Sequence, residues 1–191
     1  VPRSGKVVRD RLRQAALELF IEHGFDQTTT ERIAARAGVT ERTYFRHFTD
    51  KREVLFDGEA QLRDELTRAL AVVPAQVEPL PALRAAYHEV VPLLERNRPV
   101  LELRARIIAV TPALREREVA KVAASVALLT DALKARGVDA RIAQLCAQVG
   151  VNTFAIAAQR WMHDPSAGLD AELECAFHEL HEASSALSAK H

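Results

Sequence analysis

Cysteine occurs twice in 191 residues, tryptophan and methionine once each, and aromatic residues make up 5% of the chain. Cys146 and Cys175 form neither a Cys-x-x-Cys redox motif nor a disulfide framework; they read as reduced structural thiols of a cytoplasmic protein. No run of alternating β-branched residues is long enough to suggest a sheet. A serine-nucleophile motif and a phosphate-cradling glycine loop are both missing, so an enzyme has no machinery here and no cofactor is expected. Charge of one sign is not in excess either, because 26 Lys and Arg balance 26 Asp and Glu. The charge-free run from Ile142 to Gln159 is short for a membrane span and contains Gln144, Gln148, Asn152 and Gln159, which are costly in lipid. No membrane partner is expected.

What the chain does have is helix. Hydrophobic residues make up 48% and charged residues 27%, with alanine, leucine and arginine abundant, a composition that favours an all-α globular protein. The zero net charge hides an asymmetry. Residues 1–52 hold eleven Lys and Arg against seven Asp and Glu, and the remainder holds fifteen against nineteen. A basic end on a neutral chain suits contact with a polyanion.

About nine helices follow from periodicity, once the aperiodic opening VPRSG (1–5) is set aside. Val8, Leu12, Ala15, Ala16, Leu19 and Phe20 form one stripe that stops at Gly24. Two short helices meet near Gly38, and a fourth is expected to begin at Lys51 and to carry Leu55, Leu62, Leu66 and Leu70 inward past Gly58. Pro74, Pro79 and Pro81 cannot continue it, so a boundary is expected there. The fifth helix carries Leu83, Ala86, Tyr87, Val90, Val91 and Leu94 with Pro92 inside it; the sixth runs from about Pro99 to Val110. Thr111 and Pro112 open the seventh, and Asp139 caps the eighth, which Pro165 ends. Leu169, Leu173, Phe177, Leu180 and Leu187 mark the ninth. The eighth helix is apolar around most of its circumference, so it is expected to be covered on both sides, by its own subunit and by a second copy.

The most specific stretch is TTERIAARAGVTERTYFRHF, Thr29 to Phe48. Ala34 allows two helices to approach, Gly38 supplies a left-handed backbone between them, and Thr40 stands where the N-cap of the second helix belongs. That second helix mixes Glu41, Arg42, Arg46 and His47 with Tyr44, Phe45 and Phe48, so one side can pack inward while the other faces a groove. These residues carry a resemblance to the TetR family of bacterial repressors: Thr29-Thr30, Ile33-Ala34, Ala37-Gly38-Val39, Thr43, Tyr44-Phe45, His47-Phe48 and Lys51 follow its pattern in order without a gap. One position departs from it, since the family usually has Tyr where this chain has Phe45.

The resemblance implies a three-helix helix-turn-helix head at 6–52, with the motif itself at 29–48. A connecting helix and linker would occupy 53–80, and a helical effector-binding and dimerisation domain 81–191. It further implies a homodimer through helices 8 and 9. Double-stranded operator DNA would be the partner, with the two heads one helical turn of DNA apart, ~34 Å. Arg42 and Arg46 have the reach to read guanine and Glu41 to accept from cytosine. Thr29, Thr30, Thr43, His47 and Lys51 would hold phosphates; Thr29 and Thr40 are also candidate helix caps, alone or together with that task, and Tyr44 is divided between that task and core packing. The effector candidates are Tyr87, His88, Val91, Arg104, Ile108, Val126, Asn152, Phe154, Trp161 and Met162, with Asn152 and Thr153 expected to be buried and in need of polar partners. RARIIAVTPALRERE, Arg104 to Glu118, resembles the C-terminal domain of actinobacterial-type TetR regulators, some of which answer to fatty acyl thioesters, and that resemblance points to an elongated apolar effector.

Two other readings remain. His178 and His181 in HELHE are three apart, one residue short of the H-E-x-x-H zinc pattern, and are the basis for a metal-dependent or enzymatic module. A DNA-binding activator without an effector is the second.

Overall fold

A computed structural model describes residues 3–164 and 166–188. Expectations resting on Val1, Pro2 and Pro165, and on the side chain of Leu187, lie outside the described residues. The described residues form nine α-helices and no strand: α1 Arg3–His23, α2 Thr30–Arg36, α3 Glu41–His47, α4 Glu59–Val72, α5 Pro79–Arg96, α6 Arg98–Val110, α7 Pro112–Ala135, α8 Ala140–His163 and α9 Leu169–Ser188. No helix among them is long and apolar enough to cross a membrane.

Packing divides these elements into two compact units. The first is the chain up to Ala60 together with Pro99–Glu118; the second is Gln61–Arg98 together with the chain from Val119 onward. This division differs from the linear one that the prolines suggest. Ile107, Ile108 and Leu114 join the apolar cluster built by Leu12, Ala16 and Phe20 of α1, Ile33 of α2 and Tyr44 of α3. Burial of a far segment in that cluster leaves no local trace in the sequence.

Within the first unit, Gly24 at φ 80° ends α1, and the buried Thr28 hydroxyl donates to the Gly24 carbonyl at 2.8 Å. α4 does not begin at Lys51. A single 3-10 turn, Glu53–Phe56, comes first, and Gly58 at φ 94° separates it from α4. Asp50 organises that turn, its Oδ1 accepting from the Arg52 and Glu53 amides at 2.6 and 3.1 Å. Val54, Leu55 and Phe56 are thereby delivered to the core.

Within the second unit α8 packs on α9, and both pack on α5. Gly150 makes the α5 approach possible, because a Cβ there would lie 2.8 Å from Leu83 Cδ1. Helix ends are satisfied by side chains, near and far. Asp139 accepts from the Arg141 and Ile142 amides at the start of α8, and Glu95 Oε1 accepts from the Leu169 amide at the start of α9. The Arg98 guanidinium donates to the Trp161 and Asp164 carbonyls at the end of α8, a cation where the helix dipole favours one. Arg136 gathers the carbonyls of Leu70, Val73 and Pro74 where α4 gives way to the linker.

Candidate nucleic-acid interface

The turn between α2 and α3 is held mostly by local chemistry, with one contact from α1. Thr29 Oγ1 accepts from the Arg32 amide and starts α2. At its other end the Gly38 amide donates to the Ala35 carbonyl at 3.0 Å and the Val39 amide to the Ala34 carbonyl at 2.9 Å, the paired closure of a Schellman motif. Gly38 sits at φ 67°, and the Arg11 guanidinium donates to the Ala37 carbonyl beside it. Thr40 Oγ1 accepts from the Thr43 amide at 3.2 Å and opens α3. The chain therefore leaves α2 in one direction and enters α3 in another, with both ends of the elbow satisfied.

The two sides of α3 differ sharply. Tyr44 is 0% exposed; its hydroxyl donates to the Asp50 carbonyl at 3.0 Å, and its ring meets Phe48. Burial, reinforced by the Asp50 and Glu53 carboxylates, raises its pKa well above the usual phenol value. Placing Tyr44 among the phosphate contacts is thus corrected: the side chain belongs to the core, and its one polar atom is already used. Glu41, Arg42, Phe45 and Arg46 occupy the exposed side. Glu41 takes the Thr30 hydroxyl at 2.5 Å. Neither Arg42 nor Arg46 is held by a carboxylate among the described residues, whereas Arg36 is paired with Glu22, Arg52 with Asp50 and Arg9 with Asp57.

The remaining candidates are placed less freely. Thr29 and Thr40 are exposed while capping, and Thr43 is half-buried with its hydroxyl 3.0 Å from that of Thr40. Lys51 Nζ donates to the Phe25 carbonyl at 2.7 Å and lies 4.2 Å from the Phe25 ring centre. Burial lowers its pKa, with Asp26 opposing. His47 is half-buried, and its Nε2 is shielded from solvent without a hydrogen-bond partner. That burial, with the charges of Arg46 and Arg9 added, lowers its pKa against the opposing pull of Asp57. The basic start of α1 is also partly spent inside the head. Arg9 reaches Asp57 at 2.7 Å and the Phe48 ring at 4.6 Å, Arg11 reaches Ala37, and Arg13 reaches Asp10 at 3.4 Å.

One residue here escapes the sequence reading. Asp50 positions Tyr44 and the following turn, and its signal was present: Asp50 three residues before Glu53 and an apolar run is a capping-box pattern. Phe45, grouped in the sequence with Tyr44 and Phe48, is a correction: it stands exposed, out of their register.

The effector candidates fall into both units. Arg104 and Ile108 belong to the first, where Ile108 is core and Arg104 pairs with Glu118 above the Phe56 ring. In the second unit Tyr87 stacks on Phe154 with ring centres 4.4 Å apart and planes 8° from parallel, and burial raises the Tyr87 pKa. Val91 and Trp161 are buried, while Val126 and Met162 are half-buried. His88 stands between Asp170 and Glu174 of α9, each 2.5 Å from a ring nitrogen. Asn152 is a correction. It is exposed, and Thr153, which is buried, satisfies its hydroxyl on the Val149 carbonyl at 2.9 Å. A groove of about 370 Å³ runs between the start of α5 and α9, lined by Leu80, Arg84, Phe177 and His181 among others, and none of the ten candidates lines it. His178 lies 3.4 Å from Glu182, and among the described residues no group of three or more His, Cys, Asp or Glu side chains is arranged to hold a metal ion.

Residues 12–57, the segment that builds this elbow, match the family model described as bacterial regulatory proteins, tetR family. That segment is a TetR-type domain. Over 82 residues it is 42% identical to the HTH-type transcriptional regulator TcmR of Streptomyces glaucescens, covering 43% of this chain and 36% of that protein. The match to TtgW of Pseudomonas putida, 44% identical over 50 residues, covers 26% of this chain and 37% of that one. The matched segments thus span little more than a third of the length of these relatives. Among solved structures, the TetR-family repressor FadR of Thermus thermophilus, solved with lauroyl-CoA, is 28% identical over 91% of this chain and 93% of its own, with a TM-score of 0.57. SmeT, repressor of a Stenotrophomonas maltophilia multidrug efflux pump, has the same TetR fold at 24% identity and a TM-score of 0.60, covering 88% of this chain and 85% of its own.

Proposed function

We propose that two copies of this chain grip a roughly palindromic operator through their heads, repress transcription, and release the DNA when a largely apolar effector favours a head spacing that no longer fits it. The observation that carries this is the uncommitted pair Arg42 and Arg46, one turn apart on the exposed side of a helix whose other side is sealed by Tyr44. A guanidinium left without a carboxylate, in a head where other arginines have one, is suited to a guanine edge or a phosphate. The second copy would join through α8 and α9, where Ile142, Leu145 and Ile156 are 48%, 60% and 48% exposed on a helix with no charge between Arg141 and Arg160. An acyl thioester is the favoured effector class, supported by the 28% identity across nearly the whole chain to a repressor solved with lauroyl-CoA. A ligand acts only through its preference for one head spacing over another.

The test begins with duplexes selected from a random library and a scrambled duplex as control. Binding to the selected duplex is expected to weaken steeply with salt. Arg42→Ala is expected to lose about 5- to 150-fold on the selected duplex, the worth of one bidentate base contact, and little on the scrambled one. Equal loss on both removes Arg42 from base readout. Lauroyl-CoA is then titrated into the complex; release supports the effector class, and unchanged binding leaves the effector-free activator as the better description.

A further inference from the structure

Phe45 is 51% exposed, and every other aromatic side chain among the described residues is buried or half-buried. Its position on α3 is not arbitrary. At about 100° per residue, the exposed residues follow one another around the helix as Glu41, Phe45, Arg42 and Arg46, so the ring stands inside the polar face rather than at its margin. It is also held in place. Tyr44 presents its ring edge-on to Phe45 at 5.6 Å with an interplanar angle of 86°, and Tyr44 is itself fixed by its bond to the Asp50 carbonyl. An apolar ring so braced, beside two unpaired guanidinium groups, suits a surface that is anionic at large and apolar at one point. An apolar protein partner is a poor occupant, since it would have to bury both guanidinium groups. The floor of the DNA major groove offers the required combination, because its one apolar group is the 5-methyl of thymine.

We infer that Phe45 reads thymine, packing its ring on the 5-methyl group of a base next to those approached by Arg42 and Arg46. The assignment rests on the DNA-binding function proposed above and adds a base identity to it. A tyrosine in this place would offer a hydroxyl to a phosphate; phenylalanine gives that up and keeps the apolar contact.

The experiment crosses the protein with the methyl group. A duplex enriched from a random library by the unaltered protein is synthesised twice, once with thymine and once with uracil at every thymine position, which removes the methyl groups and leaves every pairing edge unchanged. Dissociation constants are measured by fluorescence anisotropy for the unaltered protein, Phe45→Ala and Arg42→Ala. Uracil is expected to weaken the unaltered protein by about fourfold per contacted methyl, the worth of one buried carbon. Phe45→Ala is expected to bind the thymine duplex more weakly and to be indifferent to the exchange, while Arg42→Ala keeps the sensitivity. If the unaltered protein ignores the exchange, or Phe45→Ala responds to it as fully as the unaltered protein does, thymine reading by Phe45 is wrong and DNA binding still stands. If no duplex is enriched at all, DNA binding itself fails, and thymine reading falls with it.

Discussion

α3 and α8 each bury one side and leave the other to solvent, yet the sides they leave open are chemically opposite. α3 exposes Glu41, Arg42 and Arg46 around a single ring. α8 exposes Leu145, Gln148, Asn152 and Ile156 with no charge among them. A solvated face rich in uncommitted charge is comfortable in water and gains most from a polyanion. A solvated face of leucine, isoleucine and amides gains most from another protein surface of its own kind. Exposure alone therefore says little about function; what is exposed separates a nucleic-acid face from a subunit face.

The largest effect expected from breaking this contrast comes from putting charge on α8. Leu145→Glu combined with Ile156→Glu places two carboxylates on the proposed subunit face, at positions that are 60% and 48% exposed. Monomer stability should stay within about 0.5 kcal/mol of the unaltered protein, as for most surface changes. Sedimentation equilibrium at micromolar concentration should show the dimer lost, and affinity for a two-site duplex should fall by about 100-fold or more as the advantage of linked heads disappears. A variant that remains dimeric moves the subunit contact away from this face.

The head was far more legible in the sequence than the body, and the reason lies in the range of the interactions. Thr29, Gly38 and Thr40 act on groups within five residues of themselves, so their roles could be read from spacing, and the structure places each at its cap or turn. The inward side of α3 was read only in part, since Phe45 was grouped with Tyr44 and Phe48 although only those two, four apart, are buried. The start of α4 was misjudged because an apolar period continues across Gly58, while the backbone at φ 94° interrupts the helix. Asn152 was misplaced for a different reason. On a helix without charges the pattern gives no sign of which apolar arc faces outward. The union of Ile107, Ile108 and Leu114 with the head core depends on contacts spanning many tens of residues, which no local pattern records.

A smaller effect sharpens the comparison from the backbone side. Gly38 is needed for its conformation, as φ 67° penalises any residue carrying a Cβ, and that Cβ would also lie 2.7 Å from the flexible end of Arg11. Gly38→Ala should cost about 1–2 kcal/mol of head stability, seen as a lowered urea midpoint. Since the elbow aims α3, affinity for a selected duplex should fall even at temperatures where the variant remains folded. Undiminished affinity in a folded Gly38→Ala protein would mean that α3 is oriented by its core contacts alone.

The smallest effects are expected from acid, and they should arrive in two stages. His47 has a folded pKa below its ordinary value because burial and two neighbouring arginines resist its protonation. Through the window below about 6.5 the unfolded chain therefore binds more protons, and stability falls as pH falls. Burial alone would raise the Asp50 carboxyl, but the Arg52 side chain and the Arg52 and Glu53 amides outweigh it and hold the group below the usual carboxylate value. That contribution is complete above about pH 4 and is lost as the pH drops through the folded value. Asp50 is 38% exposed, so solvent screening limits its share to a few tenths of a kcal/mol, about the level of a surface pair. Thermal melts from pH 7.5 to 3 should show His47→Asn losing the upper step and Asp50→Asn the lower one. If His47→Asn follows the unaltered protein between pH 7 and 5, the shielded Nε2 has found a partner in solution. His47 would then count as a contact already satisfied within the head, like Lys51, and not as one held ready for phosphate.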